Sequence, residues 1–454
     1  MQQMSRNVVY ASQAGARLDS DVIRGGGTDD TTVLQAVLDR APELGWLHLI
    51  IDGAALVHGL NVHANTTIEC PNPACGFFLA DGANRAIIRN AHPSRDAIID
   101  RNITLLGGTY NDNCQGQVHH TDDNQWVTAM DFFGIEQLTL RDIVIRDQRT
   151  FALFASNWRR VNMENISIIL TERTQGNQDG LHFCGPGQFL TLRNIQGCSW
   201  DDFIALNADD GHTSYNEQGE LTNNGGLGPY ASFGPITDVL IDGVILDEAA
   251  QGIRFLSRTS RLDRVVVRNV IGTYRSFGFF MDPFWERGGN YGNIVFDTVD
   301  LRPLEPNFDY LPPFLFAVGG KFESLTINNL FHHNPTDNRR LIWVEKDADI
   351  GAITIDGLSI TEADEQAAGT EHIIIDGHVE RMAIHRAYVK RPAEAKAQGC
   401  LIDISEGDHP HGIDHLILDS VTTNGLERLL NHHGGTLGTV QSDNSEFSDP
   451  IDTV

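Results

Sequence analysis

The chain has 454 residues, 41% apolar and 21% charged, the composition of a folded globular protein. Its formal charge of −28 repels phosphate backbones and excludes nucleic acid as a partner. No run of about eighteen apolar residues is present to cross a membrane.

The start, Met1-Gln-Gln-Met-Ser-Arg, lacks the apolar stretch of a secretory leader, so a cytoplasmic location is expected. Six cysteines in a chain this long are too sparse for a disulfide framework. They read as thiols of a reducing compartment, with Cys70 and Cys75 close enough in sequence for one local bridge as the alternative.

Residues 1–45 form a segment of their own. Gly25-Gly-Gly-Thr-Asp-Asp-Thr-Thr leads into Val33-Leu-Gln-Ala-Val-Leu38. This reads as a loop, an N-cap near Asp30 or Thr31, and a short helix that covers the open end of a β-rich body.

From about residue 100 onward, short β-rich segments recur. Leu138-Thr-Leu-Arg-Asp-Ile143, Val161-Asn-Met-Glu-Asn-Ile166 and Leu190-Thr-Leu-Arg-Asn-Ile195 begin the series, and Leu416-Ile-Leu-Asp-Ser-Val421 ends it. Successive segments end 23 to 33 residues apart, except for one step of 49 between Ile195 and Val244. Alternation with a period of two specifies strands. A repeat of this length specifies one coil of a solenoid. Each coil carries a second apolar strand, such as Leu181-His-Phe183, Phe203-Ile-Ala-Leu206, Phe314-Leu-Phe-Ala-Val318 and Cys400-Leu-Ile-Asp-Ile404. The expected fold is all-β: a right-handed parallel β-helix of about ten or more coils, with residues 1–454 as one domain. The long step holds a polar, Gly-rich insertion at 208–235, and long loops on rigid scaffolds carry function. Asp209, Asp210 and His212 open it. They lack calcium-loop spacing and read as a solvated loop.

Aligning the second strands stacks the residues that precede them. Asp179 before Leu181 and Asp201 before Phe203 fall in one column, 22 residues apart, with Gln251 above them. Gly180, Asp202, Gly252 and Gly278 form the neighbouring column. The structural reading is that Asn and Asp favour solenoid turns. The chemical reading is that three clustered carboxylates raise one another's pKa, which supplies the acid and the base that glycoside hydrolysis needs.

Asn177-Gln-Asp-Gly180 and Asp201-Asp-Phe-Ile-Ala-Leu-Asn207 resemble the Asn-Thr-Asp and Asp-Asp motifs of the polygalacturonase-like glycoside hydrolases, family 28, within the pectin-lyase-like β-helix proteins. The resemblance implies an inverting hydrolase without a metal or other cofactor. It implies Asp202 as general acid, and Asp179 and Asp201 as the pair that activates water. The family's Gly-His-Gly and Arg-Ile-Lys motifs have no counterpart. Ala250-Gln251-Gly252 and Ser276-Phe-Gly-Phe-Phe280 stand in their places.

Gln251, Arg254, His182, Arg275 and Trp285 are the expected substrate contacts. His182 and Arg254 alternate with buried neighbours and so face outward, and Arg suits carboxylates and hydroxyls. Trp285 offers an aromatic face in the Asp282-Pro-Phe-Trp-Glu-Arg287 loop. The expected partner is a carbohydrate. A β-helix lyase or epimerase, and a non-catalytic carbohydrate-binding β-helix, are the alternative readings.

Overall fold

The computed structural model describes residues 7–119, 127–173, 176–210, 213–215, 221–224, 227–282, 288–307, 313–334, 340–362, 371–390, 399–423 and 426–446. The chain divides into two compact units. The first is Met1–Ala208 with His212–Ile241, and the second is Asp209–Gly211 with Asp242–Val454. Each is a stretch of parallel β-helix. Among the described residues, no helix is long and apolar enough to cross a membrane.

In the first unit, the strands Met130–Arg146, Leu153–Ile169 and Leu181–Gly197 pair in parallel along most of their length, with Met130 opposite Leu153 and Leu153 opposite Leu181. Each of these 17-residue runs turns two corners. The end of one coil's second strand therefore continues into the next coil's first strand. A third face lies beyond the second corner, where Val144 pairs with Ser167 and Ser167 with Gln196.

The corners explain the recurring Asn and Asp. Asp142, Asn165 and Asn194 have φ of 59°, 56° and 54°, in the left-handed region that short polar side chains tolerate best after glycine. Their side chains form a ladder. Asn165 Nδ2 donates to Asp142 Oδ1 over 2.8 Å, and Asn194 Nδ2 donates to Asn165 Oδ1 over 3.0 Å. Between corners, Leu138, Leu140, Val161, Met163, Leu190 and Leu192 point inward and are buried. Full burial of such a side chain contributes ~1.5–3 kcal/mol.

The N-terminal helix Thr31–Leu38 buries Leu34, Val37 and Leu38. Asp30 occupies the N-cap position, but its carboxylate accepts from the Arg17 and Leu18 backbone N–H groups instead of capping the helix. Asp29 bonds the Thr31 backbone N–H and hydroxyl. Gln35 bonds both backbone groups of Asn61, so the helix covers polar groups of the strand Leu60–Val62.

The second unit repeats the pattern. Leu262–Met281, Asn290–Pro303, Lys321–Asn334, Asp349–Glu362, His378–Lys390 and Gly412–Thr422 form one wall in chain order. The end of Leu262–Met281 pairs with Phe314–Val318, and Arg340–Val344, Glu371–Ile375 and Cys400–Ile404 continue the stack. These are the expected second strands. Phe279, Phe296 and Phe316 interlock inside, with the Phe279 and Phe316 rings stacked at 4.6 Å. All six cysteines are buried, and none is in a disulfide.

Candidate active site

The acidic cluster of the first unit is built by strand register. Leu181 pairs with Ile204, His182 with Ala205 and Cys184 with Asn207. Counting back, Asp179 stacks on Asp202, and Gly180 on Phe203. The Gly180 N–H donates to the Asp202 carbonyl over 2.9 Å, in keeping with this register. The sequence alignment, which stacked Asp179 on Asp201 and Gly180 on Asp202, is therefore one residue out. Such a slip exchanges the faces of a strand. Asp201 lies beside the column and is half-buried, whereas Asp179 is only 2% exposed and Asp202 9%. A Cβ at Gly180 would lie 2.2 Å from the Phe203 carbonyl oxygen, so glycine is what allows these coils to close.

Asp179 is the first member of a buried chain. Its Oδ2 lies 2.8 Å from His182 Nδ1, and the Asn207 side-chain nitrogen lies 3.2 Å from His182 Nε2. The amide donates to Nε2, which leaves the ring proton on Nδ1, facing Asp179. The Phe151 ring stacks on the imidazole at 4.5 Å, and Phe154 flanks it. Burial pushes the His182 pKa down to about 3, so the ring is neutral. Burial also pushes the Asp179 carboxyl well above its ordinary range. The charges of Asp201 and Asp202 add to that rise, and a hydrogen bond from the Asp202 backbone opposes it. Desolvation outweighs attraction here, so the contact is a hydrogen bond between neutral groups rather than an ion pair. Asp179 Oδ1, also buried, makes no hydrogen bond among the described residues.

The insertion supplies a wall. Leu227 and Ala231 are buried with Phe133, Phe151, Phe154 and Cys184, and Tyr230 and Phe233 pack against the same cluster. Ser232 fastens this segment: its N–H donates to Ser156 Oγ over 2.9 Å, and its hydroxyl donates to the Gly185 carbonyl over 3.0 Å. Residues 227–233 thus sit against the same phenylalanines that flank His182. His212 lies outside the described residues. Asp209 and Asp210 are buried rather than solvated. Asp209 belongs to the second unit, where it accepts from Thr259 Oγ1 and pairs with Arg258.

The second unit holds the other expected contacts. Gly252 and Gly278 stack as expected, since a Cβ at Gly252 would lie 2.1 Å from the Gly278 carbonyl oxygen. Gln251 is buried. Arg254, expected to face outward, is 5% exposed, with its guanidinium 3.6 Å from the centre of the Phe280 ring. Arg275 is occupied at the surface, donating to Glu248 Oε2 over 3.1 Å and to the Glu305 carbonyl over 3.2 Å. Trp285 lies outside the described residues.

Sequence reasoning missed an acidic pair near Arg254. Met281, Val318 and Val344 stack in successive coils, which places Asp282, Gly319 and Glu345 in the next column. A Cβ at Gly319 would meet Asp282 Oδ2 at 2.4 Å and Glu345 Oε2 at 2.5 Å, so the two carboxyls converge over the glycine. Burial first, and the Asp282 charge second, push Glu345 up to about 9. The signal was present: the residue after each second strand reads Asp, Gly, Glu.

Among the described residues, no group of His, Cys, Asp and Glu is arranged to hold a metal ion. No family model matches the chain. A probable polygalacturonase of Arabidopsis thaliana is 21% identical over 150 residues, covering 32% of this chain and 33% of that relative. The match thus spans about a third of the relative's length. The tailspike protein of E. coli bacteriophage HK620, solved with a pentasaccharide, aligns at 10% identity over 92% of this chain and 76% of its own, with a TM-score of 0.56. The N-terminal fragment of bacteriophage Phi29 gene product 12 aligns at 12% identity over 96% of this chain and 66% of its own, also at 0.56. The family 28 exopolygalacturonase of Yersinia enterocolitica aligns at 12% identity over 97% and 78%, with a TM-score of 0.48. The likeness to these solved structures shows the fold, a parallel β-helix. The aspartate cluster lies on the stacked coils of that β-helix.

Proposed function

We propose that the protein is a glycoside hydrolase acting on an acidic plant- or microbe-derived oligosaccharide. The observation that carries this reading is the convergence of Asp179, Asp201 and Asp202, with His182 and Asn207 holding Asp179 in one orientation. Burial first, and the neighbouring charges of Asp201 and Asp202 second, favour the protonated form of Asp179, so the cluster holds a proton beside two further carboxyls. Glycosidic cleavage needs that combination. The curated relative, a probable polygalacturonase, supports uronate polymers as the first substrates to try.

The resemblance assigned the acid role to Asp202. Register favours a different division, in which Asp179 gives up the proton that burial holds on it before it acts as a base. Asp179 and Asp202 are stacked in adjacent coils and are suited to hold one attacking water between them. Asp201, outside the column and half-buried, is suited to protonate the departing oxygen. The wall at 227–233 favours a groove closed on that side, and hence release of units from a chain end.

The test is a reducing-sugar assay on polygalacturonate and on a panel of neutral and acidic polysaccharides, comparing wild type with Asp202→Asn. Release by the wild type and none by the variant is the expected result. Retained release by variants of all three aspartates, with the fold intact, would remove the reading. Tight binding without turnover would make the protein a carbohydrate-binding β-helix instead.

A further inference from the structure

We infer that the first unit carries a second carbohydrate site, a surface groove around Phe189 that binds an anionic polysaccharide without cleaving it.

The groove encloses about 450 Å³, and Gln137, Thr139, Arg160, Asn162, Phe189 and Thr191 line it. Strand pairing fixes its floor. Thr139 pairs with Asn162, and Asn162 with Thr191, so a hydroxyl, an amide and a hydroxyl point outward from successive coils. Such a column repeats at about 4.8 Å, the strand spacing. Its members can both donate and accept, which is the chemistry that matches sugar hydroxyls.

The edge of the groove is a corner stack. Register places Asn102, Gln137, Arg160 and Phe189 at equivalent corners, with φ of 56°, 59°, 57° and 63°. Asn65 and Asn102 show what the corner prefers, a short polar side chain joined in a ladder by a 2.8 Å hydrogen bond. Phe189 is the opposite choice. It is bulky, occupies the left-handed region, which is costly for such a side chain, and leaves 41% of its surface in water. Burial does not account for it, and neither does the corner. The Arg159 and Arg160 guanidiniums each lie 5.8 Å from its ring centre. Cations at an aromatic face hold it in place.

The electrostatics select the ligand. Both guanidiniums approach a single carboxylate, Glu136. The groove therefore keeps one positive charge in excess, on a chain of formal charge −28. An aromatic face takes the C–H side of a sugar ring, the polar column takes hydroxyls, and Arg takes a carboxylate in a planar fork. Together these features fit a chain of uronate sugars. The site does not depend on the catalytic reading, because binding here requires no turnover.

The full chain is run by affinity electrophoresis in gels containing polygalacturonate, with neutral dextran as control. Wild type is compared with Phe189→Ala and with Asn162→Trp, which fills the groove while leaving Phe189 in place. Both positions are exposed, and circular dichroism checks the fold. Each variant is expected to bind polygalacturonate about tenfold more weakly, with hydrolysis of a galacturonate dimer unchanged and no retardation by dextran. Wild-type affinity in both variants would overturn the site. Equal retardation by dextran would overturn its anionic class. A wild-type oligomer that Phe189→Ala converts to monomer would assign this face to a second copy of the chain instead. If no polysaccharide is cleaved, the hydrolase reading fails while this binding result stands.

Discussion

His182 Nδ1 meets Asp179 Oδ2 at 2.8 Å, three residues away on the same coil, and both groups are neutral because they are buried. This is an orienting contact. The imidazole cannot take a proton near neutral pH, but its N–H stabilises the ionised form of Asp179 whenever that form appears. His182 is thus a positioning residue. In His182→Ala the Asp179 pKa should rise further. If Asp179 activates water, it must be ionised, so the acid limb of the kcat/KM profile should move to higher pH. A loss of about tenfold in kcat is expected to accompany it. An acid limb that stays in place in the variant would show that the contact only fills space.

The proposed roles of the three aspartates separate by leaving group. Removing a general acid matters less when the departing group needs no proton, whereas removing the base matters for every substrate. Asp201→Asn should lose about 10²–10⁴-fold in kcat on a natural oligosaccharide but far less on a nitrophenyl glycoside. Asp179→Asn and Asp202→Asn should lose that factor on both. Selective rescue of Asp202→Asn instead would return the acid role to Asp202, as the family resemblance implies.

Much of this molecule is readable in its sequence, because a solenoid repeats its physics. The polar–apolar alternation in Leu138–Ile143 and its successors fixes the strands, and Asn165 and Asn194 mark the corners they occupy. Register is harder. The Asp201-Asp202 doublet offers two alignments with Asp179 that differ by one residue, and backbone hydrogen bonding from Gly180 to Asp202 decides between them. Asp282 and Glu345 escape notice because Gly319 separates them in the column and the intervening loops differ in length. Arg254 alternates like an outward residue, yet Phe280 lies against its guanidinium, a packing contact that alternation cannot foresee.

The corner ladder makes a stability prediction. Asn165 bridges Asp142 and Asn194 at φ 56°. Asn165→Ala should cost ~1–2 kcal/mol, from lost hydrogen bonds and a left-handed alanine. Asn165→Gly loses the same bonds but adopts the backbone freely, so it should cost less than the alanine variant. Urea denaturation of both variants measures the order. An alanine variant as stable as the glycine variant would mean that corner strain is relieved elsewhere.

The Asp282–Glu345 pair predicts how stability responds to pH in the second unit. Glu345 sits near 4.5 when unperturbed and is pushed up to about 9 in the folded chain by burial and by Asp282. Below about 4.5 both the folded and unfolded states hold the proton, and the contribution of the pair is fully present. Between about 4.5 and 9 the unfolded chain has released the proton and the folded chain has not. Folding then takes up a proton, so stability falls as pH rises through this window and levels off above it. Glu345→Gln keeps the shape and removes the titration. Its Tm should be close to that of the wild type at pH 5 and several degrees above it at pH 9, with a flatter profile between. Parallel Tm profiles for wild type and variant would mean that Glu345 is already ionised in the folded state, with Arg254 rather than a shared proton balancing the pair.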